Sequence, residues 1–96
     1  MASPRERLTQ RRGIETRALP QGALLVDMDT GKCYRLNRAG AEIWSMLRRP
    51  VDQEALCLEL ARRYERRPAT LERDVASVLS DLQRERLVES TFDPPP

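Results

Sequence analysis

Residues 13 to 36 fall into short runs in which apolar and polar side chains change over with a period near two, and from residue 38 onward the apolar positions recur every three or four. That change of period predicts strands first and helices after them. In GALLVDM (22–28), Leu24, Val26 and Met28 share one face of a strand; in KCYRL (32–36), Lys32, Tyr34 and Leu36 alternate with Cys33 and Arg35. Asp29-Thr30-Gly31 lies between the two runs. An aspartate side chain caps such a turn and a glycine supplies positive φ, so the triplet predicts a three-residue hairpin with a bulge. GIETRAL (13–19) alternates more weakly and ends at Pro20-Gln21-Gly22, which predicts a first edge strand and a three-stranded antiparallel meander.

Asn37 is placed to cap a first helix with Ile43, Trp44 and Leu47 as its apolar stripe, closed by Arg48 and Arg49 in the last turn and by Pro50. A second helix begins at Asp52, with Val51 and Leu56 as a hydrophobic staple, and is expected to bury Leu56, Cys57, Leu60, Ala61 and Tyr64. ERRPAT (65–70) breaks it. The third helix is expected from about Thr70 to Arg86, with Leu71, Val75, Val78, Leu79 and Leu82 inward and Leu87 and Val88 packing its exit. The predicted class is α+β: a winged helix-turn-helix-like domain with a three-stranded antiparallel sheet followed by three helices.

At 96 residues the chain fits one small domain, and a fold of that size buries about 60–65% of its unfolded surface. Aromatics are 4% with a single Trp, so the core is expected to be aliphatic around Trp44, with little room for a deep catalytic pocket. Of 17 basic and 15 acidic residues, four arginines and one glutamate fall in the first twelve positions, which leaves 13 against 14 in the rest. The folded part is therefore about neutral, whereas a nucleic-acid binder usually shows a basic stripe on its folded face. Residues 1–12 read as a mobile basic arm, 13–90 as the domain, and 91–96, ending in Asp-Pro-Pro-Pro, as a mobile tail. Nothing resembles a signal peptide or a membrane span, so the expected location is cytoplasmic.

The chain has no histidine. That removes the commonest general base and every Ser-His or Cys-His pair, and leaves a zinc site dependent on cysteines and carboxylates that do not cluster. Cys33 and Cys57 are too few for a disulfide scaffold. Asp-Thr-Gly is also the tripeptide with which aspartic proteases carry a catalytic carboxylate, but that chemistry needs a mostly β chain whose dimer pairs two such aspartates over one proton. Here Lys32-Cys33-Tyr34 rebuild a strand after the glycine and helices dominate the domain, so the triplet reads as a turn. Gly31-Lys32 lacks both the first glycine of a P-loop and its following Ser or Thr. Cys33 has no histidine to lower its pKa and reads as a strand residue. No catalytic residue, metal or cofactor is expected.

A winged fold also raises DNA binding through the third helix. Between Leu71 and Arg86 that helix carries Glu72, Asp74, Asp81 and Glu85 against Arg73, Arg84 and Arg86, and acids facing phosphates oppose affinity. Neither nucleic acid nor a membrane is expected as a partner. What remains is a binding surface: if strand 32–36 lies at the sheet edge, its unpaired N–H and C=O groups and the third helix beside it form a groove for an extended peptide. Lys32 and Arg35 favour an acidic peptide, and Tyr34, Val75, Val78 or Leu82 offer apolar anchors. Periodicity also permits a third helix that buries its whole stripe beside an edge that is only solvated.

GALLVDMDTGKCYRLNRAGAEIWSML, a second helix, and ERDVASVLSDLQRERLV together resemble the PqqD-like family of small peptide-recognition chaperones over about residues 20–89. The features that carry the resemblance are a D-x-x-T-G turn, a Tyr-x-Leu-Asn passage into a helix with Ile-Trp two turns on, and a last helix that includes Asp-Val and ends in Leu-Val. The resemblance implies a non-catalytic protein that binds the leader segment of a ribosomally made precursor peptide as an added strand between the third strand and third helix. It places Lys32, Cys33, Tyr34, Arg35 and Leu36 on the strand side, with Asp74, Val75, Val78, Asp81 and Leu82 on the helix side. A free-standing, arginine-rich chain of this length is most similar to the leader-binding protein of lasso-peptide pathways, which implies a leader-cleaving cysteine protease and an ATP-dependent cyclase as partners. The alternative within the family is the pyrroloquinoline-quinone pathway chaperone, which partners a radical S-adenosylmethionine enzyme.

Overall fold

The structure, a computed structural model, describes residues 6–92. Strands β1 (Glu6–Gln10), β2 (Ile14–Leu19), β3 (Gly22–Asp27) and β4 (Cys33–Asn37) are followed by helices α1 (Arg38–Met46), α2 (Gln53–Tyr64) and α3 (Pro68–Arg84) and by strand β5 (Val88–Phe92). β2, β3 and β4 form the expected antiparallel meander in that spatial order, and three helices follow it. The α+β class is the one the sequence predicts. β1 and β5 add a separate two-stranded antiparallel ribbon that it does not.

The ribbon corrects the expected tails. Residues 6–10 are a strand rather than part of a mobile arm, because one apolar residue in that charged run finds the core: Leu8 is 5% exposed and sits in the main hydrophobic cluster. Its backbone also exchanges hydrogen bonds with Val51, at 2.9 and 3.0 Å. Next to it, the Thr9 hydroxyl and the Gln10 N–H donate to the Leu47 carbonyl, and the Gln10 side-chain amide donates to the Trp44 carbonyl at 2.7 Å. Both carbonyls lie in the last turn of a helix, where acceptors outnumber intrahelical donors, and that of Trp44 also accepts from the Leu47 N–H at 3.0 Å. At the other terminus the expected boundary at residue 90 falls inside β5. Residues 1–5 and 93–96 of the expected tails lie outside the described residues.

In the β3–β4 hairpin, Gly31 adopts φ +77 as expected, but the capping aspartate is Asp27 and not Asp29. One Asp27 carboxylate oxygen accepts from the N–H of Asp29 at 2.9 Å and of Thr30 at 3.3 Å, and the other accepts from Arg11 at 2.7 Å. Asp27 is 4% exposed. The inward face of β3 is accordingly Ala23, Leu25 and Asp27, while Leu24 and Val26 are half-buried on the other face and Met28 is exposed. At the opposite end of the hairpin, a Cβ on Gly22 would lie 1.9 Å from the Leu36 carbonyl oxygen, so only glycine admits that approach.

Asn37 caps α1 by accepting from the Gly40 N–H at 2.8 Å, and Asp52 caps α2 by accepting from the Ala55 N–H at 2.7 Å, both as expected. α1 ends at Met46 with Leu47 as its cap, so Arg48 and Arg49 lie beyond it and not in its last turn. α3 begins at Pro68, earlier than Thr70, since proline is well tolerated in a first turn where its missing N–H has no partner to lose. Tyr64 is exposed rather than buried; its hydroxyl donates to Glu42 across to α1. Trp44 is 1% exposed at the centre of the cluster, with its indole N–H donating to the Thr16 hydroxyl of β2 at 2.8 Å. Among the described residues no helix is long and apolar enough to cross a membrane.

Two measurements test this arrangement. Leu8→Ala should lower the unfolding free energy by about 2–4 kcal/mol in urea titrations; an unchanged midpoint would mean that the ribbon contributes nothing. Burial opposes the charge of Asp27, but the Asp29 and Thr30 N–H groups and Arg11 outweigh it and hold the carboxyl below its ordinary value. A depressed carboxyl stabilises the fold above its unfolded pKa of about 4, and that contribution is lost as pH falls through the folded value. Asp27→Asn should therefore lower Tm at neutral pH and flatten the acid limb of a Tm–pH profile.

Candidate functional site

β4 is an outer strand of its sheet, bonded on one side only. Its register pairs Leu25 with Tyr34 and Ala23 with Leu36, and the bond from the Asp27 N–H to the Lys32 carbonyl, at 2.9 Å, continues that series. Because bonded and non-bonded pairs alternate in an antiparallel ladder, Tyr34 and Leu36 spend their backbone groups on β3, and those of Cys33 and Arg35 point away from the sheet. Side chains alternate too. Tyr34 and Leu36 pack against the core, while Cys33 and Arg35 are exposed.

α3 forms the facing wall. Leu71, Val75, Val78, Leu79 and Leu82 turn inward as the spacing predicts, with Val75, Leu79 and Leu82 fully buried. Asp74, Val78, Asp81 and Glu85 recur at i, i+4, i+7 and i+11 along one margin of this stripe. That margin borders β4. Tyr34 and Glu85 line one depression at one end, and Asp74 shares a depression with Arg38 and Ala39, the residues that follow β4, at the other. Burial first, and then the nearby Glu85 and Asp27 carboxylates, raise the Tyr34 pKa, so the phenol stays protonated.

A depression lies at each end of this border. One, of about 320 Å³, is floored by Ile43, Leu60, Leu71 and Val75 and rimmed by Arg38, Arg66 and Asp74. The other is polar and lies between Lys32 and Tyr34 of the hairpin and Arg84, Glu85 and Arg86 of the helix exit. Both walls carry both signs: Lys32 lies near Asp27 and Asp29 on the strand side, and Glu85 lies between Arg84 and Arg86 on the helix side.

The residues singled out from sequence distribute unevenly here. Lys32, Tyr34 and Asp74 line the depressions, and Cys33 and Arg35 carry the free edge. Leu36 and Val78 are half-buried against the core between them. Val75, 1% exposed, reaches only the floor, and Leu82, 2% exposed, offers no surface. Asp81 is exposed and paired with Arg84 at 2.6 Å. Sequence reasoning passed over Glu85, Arg38 and Leu71. Glu85 had a signal, its position one turn beyond Asp81 on the same margin. Arg38 and Leu71 had none, since they border the site only through the packing of α1 against α3.

An open strand edge lying along a helix margin defines an α+β domain with an extended groove. The chain belongs to the PqqD family: the family model described as Coenzyme PQQ synthesis protein D (PqqD) matches residues 22–88. Among solved structures it is similar to TbiB1 in complex with the TbiA(beta) leader peptide, at 24% identity and TM-score 0.75 over 88% of this chain and 99% of that one. It is also similar to a lasso peptide synthetase B1 complexed with the leader peptide, at 23% identity and TM-score 0.72 over 85% and 96%. A third is the PqqD truncation of Methylobacterium extorquens PqqCD, a stand-alone RiPP recognition element, at 18% identity and TM-score 0.72 over 86% and 88%. At these identities the likeness is one of fold. A search of curated proteins found no match.

The two cysteines give a direct check on the groove. Cys33 is exposed, whereas Cys57 is buried and its thiol pKa is raised, first by burial and then by Glu72. Mass spectrometry after brief iodoacetamide treatment should find Cys33 alkylated and Cys57 intact until denaturant is added. Equal labelling of both would contradict the burial of Cys57, and an unlabelled Cys33 would contradict the exposure of β4.

Proposed function

We propose that this chain is a non-catalytic leader-binding protein: it takes the leader segment of a ribosomally made precursor peptide as a fourth strand on β4, within the groove against α3. The observation that carries this is the outward backbone of Cys33 and Arg35 on an edge strand flanked by a helix margin. Strand addition supplies main-chain hydrogen bonds for affinity, and alternate side-chain contacts supply the choice of partner. Peptide residues beside Arg35 on the solvent face favour acids. Those facing α3 meet Tyr34, Leu36 and Val78, with Asp74, Asp81 and Glu85 along the far margin, and Lys32 guards one end. Val75 and Leu82 support the wall from beneath.

The two structures complexed with leader peptides support this reading, and the one named a lasso peptide synthetase B1 supports delivery of the precursor to a leader-cleaving cysteine protease, with an ATP-dependent cyclase downstream, in the cytoplasm. The family model favours a second reading, a chaperone of the pyrroloquinoline-quinone pathway partnering a radical S-adenosylmethionine enzyme.

Fluorescence polarisation with labelled leader segments from precursor genes adjoining this one is the decisive measurement. Binding should reach half-saturation at or below about 10 µM, and Cys33→Pro and Arg35→Pro should each weaken it about tenfold or more by deleting an outward N–H. No binding at several times that concentration, or unchanged affinity in both proline variants with the fold intact by circular dichroism, overturns the reading.

A further inference from the structure

The β1–β5 ribbon has an open edge of its own. β1 aligns Leu8 with Ser90, and the Leu8 N–H and C=O turn away from β5 to bond Val51. Leu8–Ser90 is therefore a non-bonded pair, and the ladder bonds fall at Arg7–Thr91 and Thr9–Glu89. It follows that the backbone groups of Val88, Ser90 and Phe92 point outward, and none of them bonds another element's backbone among the described residues. Edge strands are usually blunted by charge, proline or a bulge. From Val88 to Phe92 this one has a single charged residue, Glu89, and closes on Phe92, which is 57% exposed.

We propose that β5 is a dimerisation strand that pairs antiparallel with β5 of a second copy about a two-fold axis through Ser90, joining the two ribbons into one four-stranded sheet. The free groups admit this register, and side-chain charge selects it. With the axis at Ser90, the residues that form bonded pairs across it are Val88, Ser90 and Phe92, whose groups are unused. An axis at Glu89 would also draw only on outward groups, pairing Val88 with Ser90, but it would set two carboxylates face to face in the closer, non-bonded pair, which is unfavourable.

The strand's sequence complements itself in the Ser90 register. Val88 meets Phe92 of the second copy, Glu89 meets Thr91, and Ser90 meets its own counterpart. Val88, Ser90 and Phe92 lie on the face that carries Leu8, and Val88 already packs against the core. The exposed Phe92 of each copy thus extends the apolar surface of the other at that margin. Five residues of edge contact fall short of a standard interface, so the dimer is weak and concentration-dependent. β4 belongs to the other sheet, so the inference stands apart from peptide binding.

Sedimentation velocity from low micromolar to near-millimolar protein tests it, on the wild type, Ser90→Pro, Thr91→Lys and Thr91→Glu. The wild type should show a monomer–dimer equilibrium. Ser90→Pro removes an outward N–H that the monomer does not use and should remain monomeric with an unchanged circular dichroism spectrum. Thr91→Lys sets a cation opposite Glu89 of the second copy at two symmetric places and should tighten the dimer about threefold or more, while Thr91→Glu should weaken it by a like factor. A wild type monomeric throughout overturns the proposal. So does a dimer indifferent to Ser90→Pro, or one that the two Thr91 variants shift in the same direction.

Discussion

Asp27 is the buried charged side chain of the described core, and three segments remote in sequence meet on it. Its carboxylate gathers the N–H groups of the β3–β4 turn and the guanidinium of Arg11, which comes from the link between β1 and β2. Arg11 also donates to the Arg86 carbonyl at 2.6 Å, where α3 gives way to β5. A carboxylate removed from water is tolerable only when its lone pairs are engaged, and any shift of one segment would strand a charge. No buried side-chain polar atom among the described residues lacks a partner. The turn, the N-terminal strand and the helix exit are therefore held in one relative position.

The groove inherits its geometry from that junction. The end of β4 near Lys32 and the end of α3 near Glu85 are the two ends the junction fixes, and Tyr34 and Glu85 line the depression between them. At the far end the Asn37 cap turns the chain directly from β4 into α1, so Arg38 and Ala39 close the groove without an intervening loop. An edge strand is a liability in a small domain. Here its outward groups lie beside a helix margin that limits which chains can approach, which turns the liability into the basis of the binding role.

The PqqD membership and the lasso-pathway likenesses place this arrangement on a known fold. The terminal ribbon is built from residues largely outside the region the family model matches: β1 precedes it altogether, and β5 starts at its last residue.

Periodicity, caps and turn chemistry were enough to establish the meander, the three helices and the order between them, because each depends on residues within a few positions: Gly31 for the turn, Asn37 and Asp52 for the caps, Ile43, Trp44 and Leu47 for a stripe. The strand residues of the groove were legible for the same reason. The remainder depended on long-range partners. Leu8 in a run of charges gives no local sign that it will meet Val51, and nothing local shows that Asp27 rather than Asp29 will be buried on the turn's N–H groups, with Arg11 reaching both carboxylates. Which margin of α3 faces β4 was likewise decided only by tertiary packing, because a helix stripe defines what is buried but not what stands on either side of it.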